Sequence, residues 1–514
     1  MPPSLDGLPN EIISAILIET DRAALAALCH VSRYFYSLVT PSLYRVIQHH
    51  ENAPHDPRRV PLLLRSLLGN PALGGHIVEV QFSLPGPEYE DVGCFSEEEW
   101  VLVRGLVAKL YETGLLTEEL FSMNILHTTE VPKGIASEVS WNKSVREGHW
   151  DAIFSLILYC CSGVEKLRGF QWNRWDAPGH SYPGFYFLGF FMSAVALSKT
   201  PEYLHAQKPS AVPILPNYRG AHLSNKTGSD DRPILLQSLL PFLYSSSIEL
   251  DRVNAKIEGG PTQRHRLWGR WRFCLKKIVI KQSTMTADTL RYLLASCDAL
   301  EEFVLEHGTE EGDYSVPSGN MQRMVYDQGP LVGGLQRSKK SLTRLELARG
   351  FEYLYNRKLA DIEQTLGSLV EFEVLTHLAV NLEFLIWQKK PNGKSTLCGI
   401  LPRSLESLFI ATEDVPKSDS PDSDFSHAVV LWNENLLFRN IHHFEELVLR
   451  KEDFVPNLRH IVLDGIQLEE ADNSVLRALK RACKTYNVQL SIVLYGDYLI
   501  RPGVWEHGSE TVSF

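Results

Sequence analysis

The sequence has no uninterrupted run of eighteen apolar residues, so no membrane-spanning helix is expected. It also lacks paired cysteines at metal-clip spacing. The eight cysteines, at 29, 94, 160, 161, 274, 297, 398 and 483, are scattered, and none forms a C-x-x-C pair. Buried free thiols in a reducing compartment, the cytosol or the nucleus, are therefore expected. Met1 is followed by Pro-Pro-Ser and an amphipathic stretch, with neither a basic n-region nor an apolar h-region, so no signal peptide is expected. The sequons at Asn142 and Asn225 are then chance matches. Excess positive charge is missing too. The formal net charge of −11 argues against a dedicated nucleic-acid binder, which would carry a basic face.

Catalytic signatures are equally scarce. No HExxH, GxSxG or GxGxxG occurs. Gly393-Lys394-Ser395 resembles the end of a phosphate-binding loop, but the position five residues before Gly393 is Gln388, so the backbone cradle is incomplete. His49, His50 and His55 lie close together in a Pro-rich connector without acidic or cysteine partners at ligand spacing. His442 and His443 are expected on a solvated helix face. These absences predict a chain without metal, cofactor or catalysis of its own.

What the chain does have is a legible N-terminus. Residues 5–47 read LDGLPNEIISAILIETDRAALAALCHVSRYFYSLVTPSLYRVI. Pro9 fits a first helical position and Glu11 complements the positive helix start. Ile12, Ile13, Ile16 and Leu17 then form an apolar stripe. Asp21 is the expected N-cap of a second helix bearing Ala24, Leu25, Leu28 and Cys29 on one face. A third helix carries Val31, Tyr34, Phe35 and Leu38 and is expected to end at Thr40-Pro41. Leu43, Tyr44 and Val46 follow as a further apolar group. Three such short helices bury little surface alone. Two readings stay open from the residues: a helical cap on the next domain, or a partner-binding module.

LPNEIISAIL resembles the opening of an F-box, Leu-Pro-x-Glu-Leu/Ile followed by apolar residues at helical spacing. CHVSRYFYSL resembles its second half, and Thr-Pro-Ser-Leu-Tyr-Arg the ending common in fungal F-box proteins. The resemblance covers about a tenth of the chain. Ala23–Ala27, without a bulky residue other than Leu25, departs mildly from the pattern. The resemblance implies docking onto the Skp-type adaptor of a cullin–RING ubiquitin ligase. Leu8, Pro9, Ile12, Ile13, Val31, Arg33, Phe35, Leu43 and Tyr44 would meet that adaptor, and Arg33 would supply rim hydrogen bonds. Ile16, Leu17, Leu25 and Leu28 would form internal core.

The body carries a recurring apolar-x-x-apolar-x-apolar segment. It appears at 77–82, 164–170, 275–280, 300–305, 342–347, 375–380, 405–410 and 458–463, with a further candidate near 488. FEELVL at 444–449 fits the template but reads better as a helix feeding the strand at 458. Helical stretches precede several copies, an alternation that predicts a leucine-rich-repeat-like stack. Starts at 275, 300, 342, 375 and 405 give irregular spacings of 25, 42, 33 and 30 residues. An asparagine ladder is missing, and an ordinary α/β domain is the alternative. Loops are expected at 201–233, 306–340, 388–396 and 411–426.

Two aromatic clusters stand apart. Residues 171–191 concentrate Trp172, Trp175, Tyr182, Phe185, Tyr186, Phe187, Phe190 and Phe191, as either a binding groove or packing for an insertion. Residues 264–273 interleave Arg264, Arg266, Arg270 and Arg272 with Trp268 and Trp271. This is either a basic helix face or a clasp for an acidic or phosphorylated degron, in which Arg264, Arg266, Trp268 and Arg270 would bind substrate.

The expected fold class is α/β: a three-helix F-box at 1–50, a helical connector at 51–74, an irregular leucine-rich-repeat-like solenoid with long insertions at 75–500, and a tail at 501–514. The expected function is substrate recognition within an SCF-type ligase, with the adaptor and an unknown protein substrate as partners and neither nucleic acid nor membrane. Two alternatives stand beside it. One is an interaction scaffold acting outside ubiquitination; the other is an enzyme with an unrecognised site near 171–191.

Overall fold

The computed structural model describes residues 8–49, 59–83, 95–112, 137–170, 186–198, 214–224, 234–243, 245–253, 255–256, 272–283, 285, 287–307, 328–349, 366–386, 397–411, 436–467, 474–495 and 511–513. The chain is α/β and divides into two compact units, Met1–Ile248 and Glu249–Phe514.

The first unit opens with three helices, α1 (Asn10–Ile18), α2 (Arg22–Cys29) and α3 (Arg33–Tyr44). Pro9 sits one position earlier than expected, as the N-cap of α1, where its carbonyl accepts from the N–H groups of Ile12 and Ile13. Asp21 accepts from Ala24 N–H at 2.8 Å and Ser32 from Phe35 N–H at 3.2 Å, fixing the starts of α2 and α3. Contrary to the sequence expectation, α3 does not end at Thr40-Pro41. It runs through Pro41 to Tyr44, and the Thr40 hydroxyl donates to Tyr36 O at 2.5 Å in the turn that Pro41 weakens.

Val46, in the apolar group that follows α3, starts a strand. Strand β1 (Val46–His49) pairs in parallel with β2 (Glu79–Ser83), so the helical module runs directly into a sheet. Strands β3 (Lys166–Phe170) and β4 (Gly220–Ser224) extend that row in chain order, all parallel. Strand β4 lies inside the stretch read as loop at 201–233. Its sequence, GAHLS, carries no leucine template, and Gly220 lets the Ser247 hydroxyl lie within 2.4 Å of where a Cβ would be.

Helices α4 (Arg59–Gly69), α5 (Leu73–His76), α6 (Glu97–Glu112), α7 (Glu138–Arg146), α8 (Trp150–Cys160) and α9 (Tyr186–Leu197) supply the rest of this core. Phe187 packs on buried Trp141, with ring centroids 5.0 Å apart, and Phe191 is fully buried. Asp151 at the start of α8 accepts from Phe187 N–H at 2.9 Å, so a neighbouring helix caps α9. This part of the aromatic stretch is packing; residues 171–185 lie outside the described residues. The unit closes with the two-residue β5 (Ile234–Leu235) and α10 (Leu236–Leu243), and β6 (Ser247–Asp251) falls at the division between units.

The second unit holds the two-residue β7 (Ala255–Lys256), then the long parallel strands β8 (Lys277–Ser283), β9 (Glu302–His307), β10 (Arg344–Arg349), β11 (His377–Asn381), β12 (Ser407–Ala411), β13 (His460–Gln467) and β14 (Gln489–Tyr495). From β8 to β14 each pairs with the next in chain order. Six of the recurring segments form strands of this unit, and the leucine that opens each lies just before its strand and is buried: Leu275, Leu300, Leu342, Leu375, Leu405 and Leu458. The helices α11 (Ala287–Ala295), α12 (Gln328–Leu335), α13 (Leu382–Leu385), α14 (Leu436–Leu449), α15 (Lys451–Phe454) and α16 (Ser474–Thr485) fall between strands. Helix α11 packs on α12, and α14 on α16. Helix α12 lies within the stretch read as loop at 306–340, and α14 confirms 444–449 as helix.

Period-two alternation divides each strand of this unit into two faces. Ile278, Phe303, Leu345, Leu378, Leu408, Ile461 and Leu490 stand in register on the core side and are all buried. Each such side chain contributes about 2 kcal/mol of burial energy. The tail expected at 501–514 is not all tail: β15 (Thr511–Ser513) pairs antiparallel with β14.

Of the described cysteines, all are free, and Cys161, Cys297, Cys398 and Cys483 are buried. Burial pushes the thiols of Cys160 and Cys483 up to about 12, leaving almost no reactive thiolate at neutral pH. Cys274 is exposed. Native-state alkylation followed by peptide mass mapping should label Cys274 long before Cys160, Cys161, Cys297 or Cys483; equal rates would contradict this packing.

Candidate functional site

The N-terminal helices are built on five buried residues. Ile13 and Leu17, one turn apart on α1, meet Leu25 of α2 and Phe35 and Val39 of α3, with Leu8, Leu28, Cys29, Leu38 and Leu43 packed around them. Asn10 Oδ1 accepts from the Tyr34 hydroxyl at 2.7 Å, tying the starts of α1 and α3 together. The Arg22 guanidinium, on an exposed side chain, donates to Val46 O at 2.7 Å and so ties α2 to the first strand.

This core changes the sequence assignment. Ile13 (0% exposed) and Phe35 (5%) were expected to meet a partner but point inward. Ile16 was expected inside but is 42% exposed. The reason is helical phase: a 100° step per residue separates Ile12 from Ile13 and Ile16 from Leu17, and the partner helices cover only the Ile13–Leu17 side. Of the other residues expected to meet the adaptor, Pro9, Ile12 (50%), Val31 (65%) and Arg33 are exposed, while Leu8, Leu43 and Tyr44 are half-buried. Burial of Tyr44 raises its hydroxyl pKa. Tyr34 and Tyr36, also exposed, add to the outward set.

The concentration of these side chains matters more than any one of them. Six of the thirteen large apolar side chains exposed among the described residues fall within 12–36. Single exposed apolar residues are ordinary; what sets this module apart is how many of them it carries.

A second surface lies on the sheet of the second unit, opposite its core. Lys277, Glu302, Arg344, His377, Ser407, His460 and Gln489 stand in one register row on that face. Ion pairs cross or follow the strands: Lys277 with Glu302, Arg344 with Glu346, and Lys281 with Glu249 at 3.3 Å. His460 and Ser491 hydrogen bond at 3.0 Å, and burial lowers the His460 pKa, favouring its neutral form. The next row on the same face, Val279, Val304, Glu346, Ala379, Phe409, Val462 and Ser491, is mainly apolar, so the polar character of this face is concentrated in the row at the strand starts.

The basic–aromatic stretch with Arg264, Arg266, Trp268 and Arg270 lies outside the described residues, as do His50 and His55. Among the described residues, His442 is exposed on α14 and His443 half-buried, its pKa lowered by burial and by His442. No group of three or more metal-ligating side chains occurs among the described residues, and none of their helices is long and apolar enough to cross a membrane.

Known protein families offer no model that matches this chain, and no curated protein matches it.

Proposed function

We propose that this chain is the substrate-recognition subunit of an SCF-type cullin–RING ubiquitin ligase. In this reading the N-terminal helices are an F-box that holds the Skp-type adaptor, and the two-unit body is an irregular leucine-rich-repeat-like solenoid that holds a protein substrate. Neither step asks this chain for a nucleophile or an acid–base pair. Bringing a substrate to the ubiquitin-carrying enzyme raises the effective concentration of the reacting groups, and chemistry proceeds elsewhere in the complex.

One observation carries the reading. The motif-bearing module is satisfied internally by Ile13, Leu17, Leu25, Phe35 and Val39, yet leaves Ile12, Ile16, Val31 and Tyr34 outward. Aliphatic and aromatic anchors with a polar rim are what docking against a helical partner needs. Parallel strands in chain order, with a buried leucine ahead of each of β8 to β13, are what supports the repeat-like body.

The test is co-purification of the full chain with a Skp-type adaptor, alone and with the cullin. Adaptor capture with cullin recruitment is the expected result. Failure of the folded chain to capture any Skp-type adaptor overturns the proposal. Capture of the adaptor without cullin recruitment overturns the ligase role in favour of an adaptor-bound scaffold.

A further inference from the structure

The parallel strands start at β1 and end at β14, beyond which lies β15. These two outer strands are protected differently. Strand β1 (VIQH) is four residues long and pairs with β2. Val78 and Glu79 N–H donate to Arg45 O at 2.9 and 3.1 Å, so Arg45 and Ile47 face β2 while Val46 turns its backbone outward. There the Arg22 guanidinium occupies the Val46 carbonyl oxygen at 2.7 Å. A short strand whose outward carbonyl is held by a charged side chain is a poor template for another strand.

Strand β14 has neither defence. Its sequence, QLSIVLY, holds no charge, no proline and no glycine, the composition of segments that pair edge to edge. Its inner side is firmly held: it pairs with β13, Leu490 and Ile492 are fully buried, and α16 packs against it. Gln489 N–H donates to Arg459 O at 2.8 Å, so Gln489 and Ser491 face β13 while Leu490 and Ile492 turn their N–H and C=O groups outward. Strand β15 lies antiparallel on that outer side, with Ser513 opposite Ser491, Val512 opposite Ile492 and Thr511 opposite Val493. The outward backbone groups of Ile492 therefore meet those of Val512. Three residues on one side of a strand already anchored from the other add little to its stability. What they change is its edge.

We propose that β15 is an edge guard, which keeps β14 from pairing with the β14 of a second copy of this chain. Two such edges meeting across a two-fold axis pair antiparallel, as β15 does, and the contact closes at a dimer. A second copy is the fitting occupant because it brings a matching edge, uncharged and already extended, so that pairing orders no new backbone. The inference goes beyond adaptor docking and stands without it.

Val512→Pro in the full chain removes the N–H that faces Ile492 and so breaks the pairing of β15. Sedimentation equilibrium should find the wild type monomeric and Val512→Pro a reversible dimer, its mass doubling as concentration rises. Adding Val493→Lys should restore the monomer, since a lysine on an open edge strand blocks strand pairing. Val493 alternates with buried Ile492 and is half-buried at the open face, so a lysine there can carry its ammonium to water. Both variants should keep the circular dichroism of the wild type, because Leu490 and Ile492 keep their packing. Hydrogen exchange of the wild type gives a check that needs no variant: the Ile492 amide should exchange as slowly as the amides of β13. A monomeric Val512→Pro, a wild type that already dimerises, a dimer that persists in Val512→Pro/Val493→Lys, or fast exchange at Ile492 would each overturn the assignment.

Discussion

Replacing Ile12 and Ile16 together by aspartate should reduce adaptor capture about a hundredfold to a thousandfold while the chain stays folded. Neither side chain belongs to the buried core of the module, at 50% and 42% exposure, so little internal packing is lost. Aspartate costs each helix position about 0.6 kcal/mol in propensity, a loss the packed Ile13–Leu17 side can absorb. At the docking surface the effect is far larger. Two anchors worth about 2 kcal/mol each, plus the desolvation of two new charges, amount to about 4 kcal/mol or more, and each 1.4 kcal/mol is tenfold in affinity. Surface plasmon resonance against immobilised adaptor measures the loss; circular dichroism and the thermal midpoint report the fold. Wild-type affinity in the double variant would place the docking face elsewhere. Phe35→Ala is the informative contrast. Phe35 is buried against Ile13 and Val39, and truncating it removes about 3–5 kcal/mol of packing. It should abolish capture by melting the module, with a lowered midpoint that the surface variant does not show.

The second large effect is expected at Gly74. Helix α5 passes so close to the end of α8 that a Cβ built on Gly74 would lie 1.9 Å from the carbonyl oxygen of Cys160. Gly163 faces the same contact from the other side, where its Cβ would meet the carbonyl oxygens of Gly75 at 2.4 Å and Ile77 at 2.9 Å. The two backbones are joined by Gly163 N–H donating to Gly74 O at 3.3 Å. In each case the obstacle is backbone, with no flexible side chain to move aside. Gly74→Ala should therefore destabilise the first unit by about 3 kcal/mol or more, at the upper end of overpacking effects, because the helix must shift to make room. Gly75→Ala is the control: nothing lies within 4 Å of its Cβ position. Chemical denaturation of the two variants decides the matter, and similar midpoints would show that the approach of α5 to α8 relaxes without strain.

The leucine template was readable because strands obey a period of two whatever surrounds them. LTRLEL, LTHLAV and LESLFI each state, without any neighbour, which residues go inward. Register followed from the same pattern, since a slip by one residue would expose Leu345, Leu378 and Leu408. Strand β4 was invisible because GAHLS carries too few apolar residues to announce itself. It is a strand because β3 offers it a free edge, and Gly220 leaves room for Ser247. Helix α12, with three glycines and a proline among eight residues, is likewise held by α11 rather than by propensity.

The amino-acid sequence by itself determined the α/β class, the positions of strands β2, β3 and β8 to β14, and the existence of three short helices at the N-terminus. Local propensity, capping residues and apolar periodicity are sufficient for those. It did not determine which isoleucines of α1 face outward, because Ile12, Ile13, Ile16 and Leu17 are all apolar and a short helix has no intrinsic inside. Only the packing of α2 and α3 against one side decided that. Nor did it reveal that Glu306 is buried, since its place in LEEFVLEH looks like any polar strand end. Its burial beside Lys281, Gln282 and Asp251, residues 24 to 55 positions away in sequence, is a property of the folded sheet alone. Burial and charge compensation are sums over spatial neighbours, and those neighbours are set by the tertiary fold.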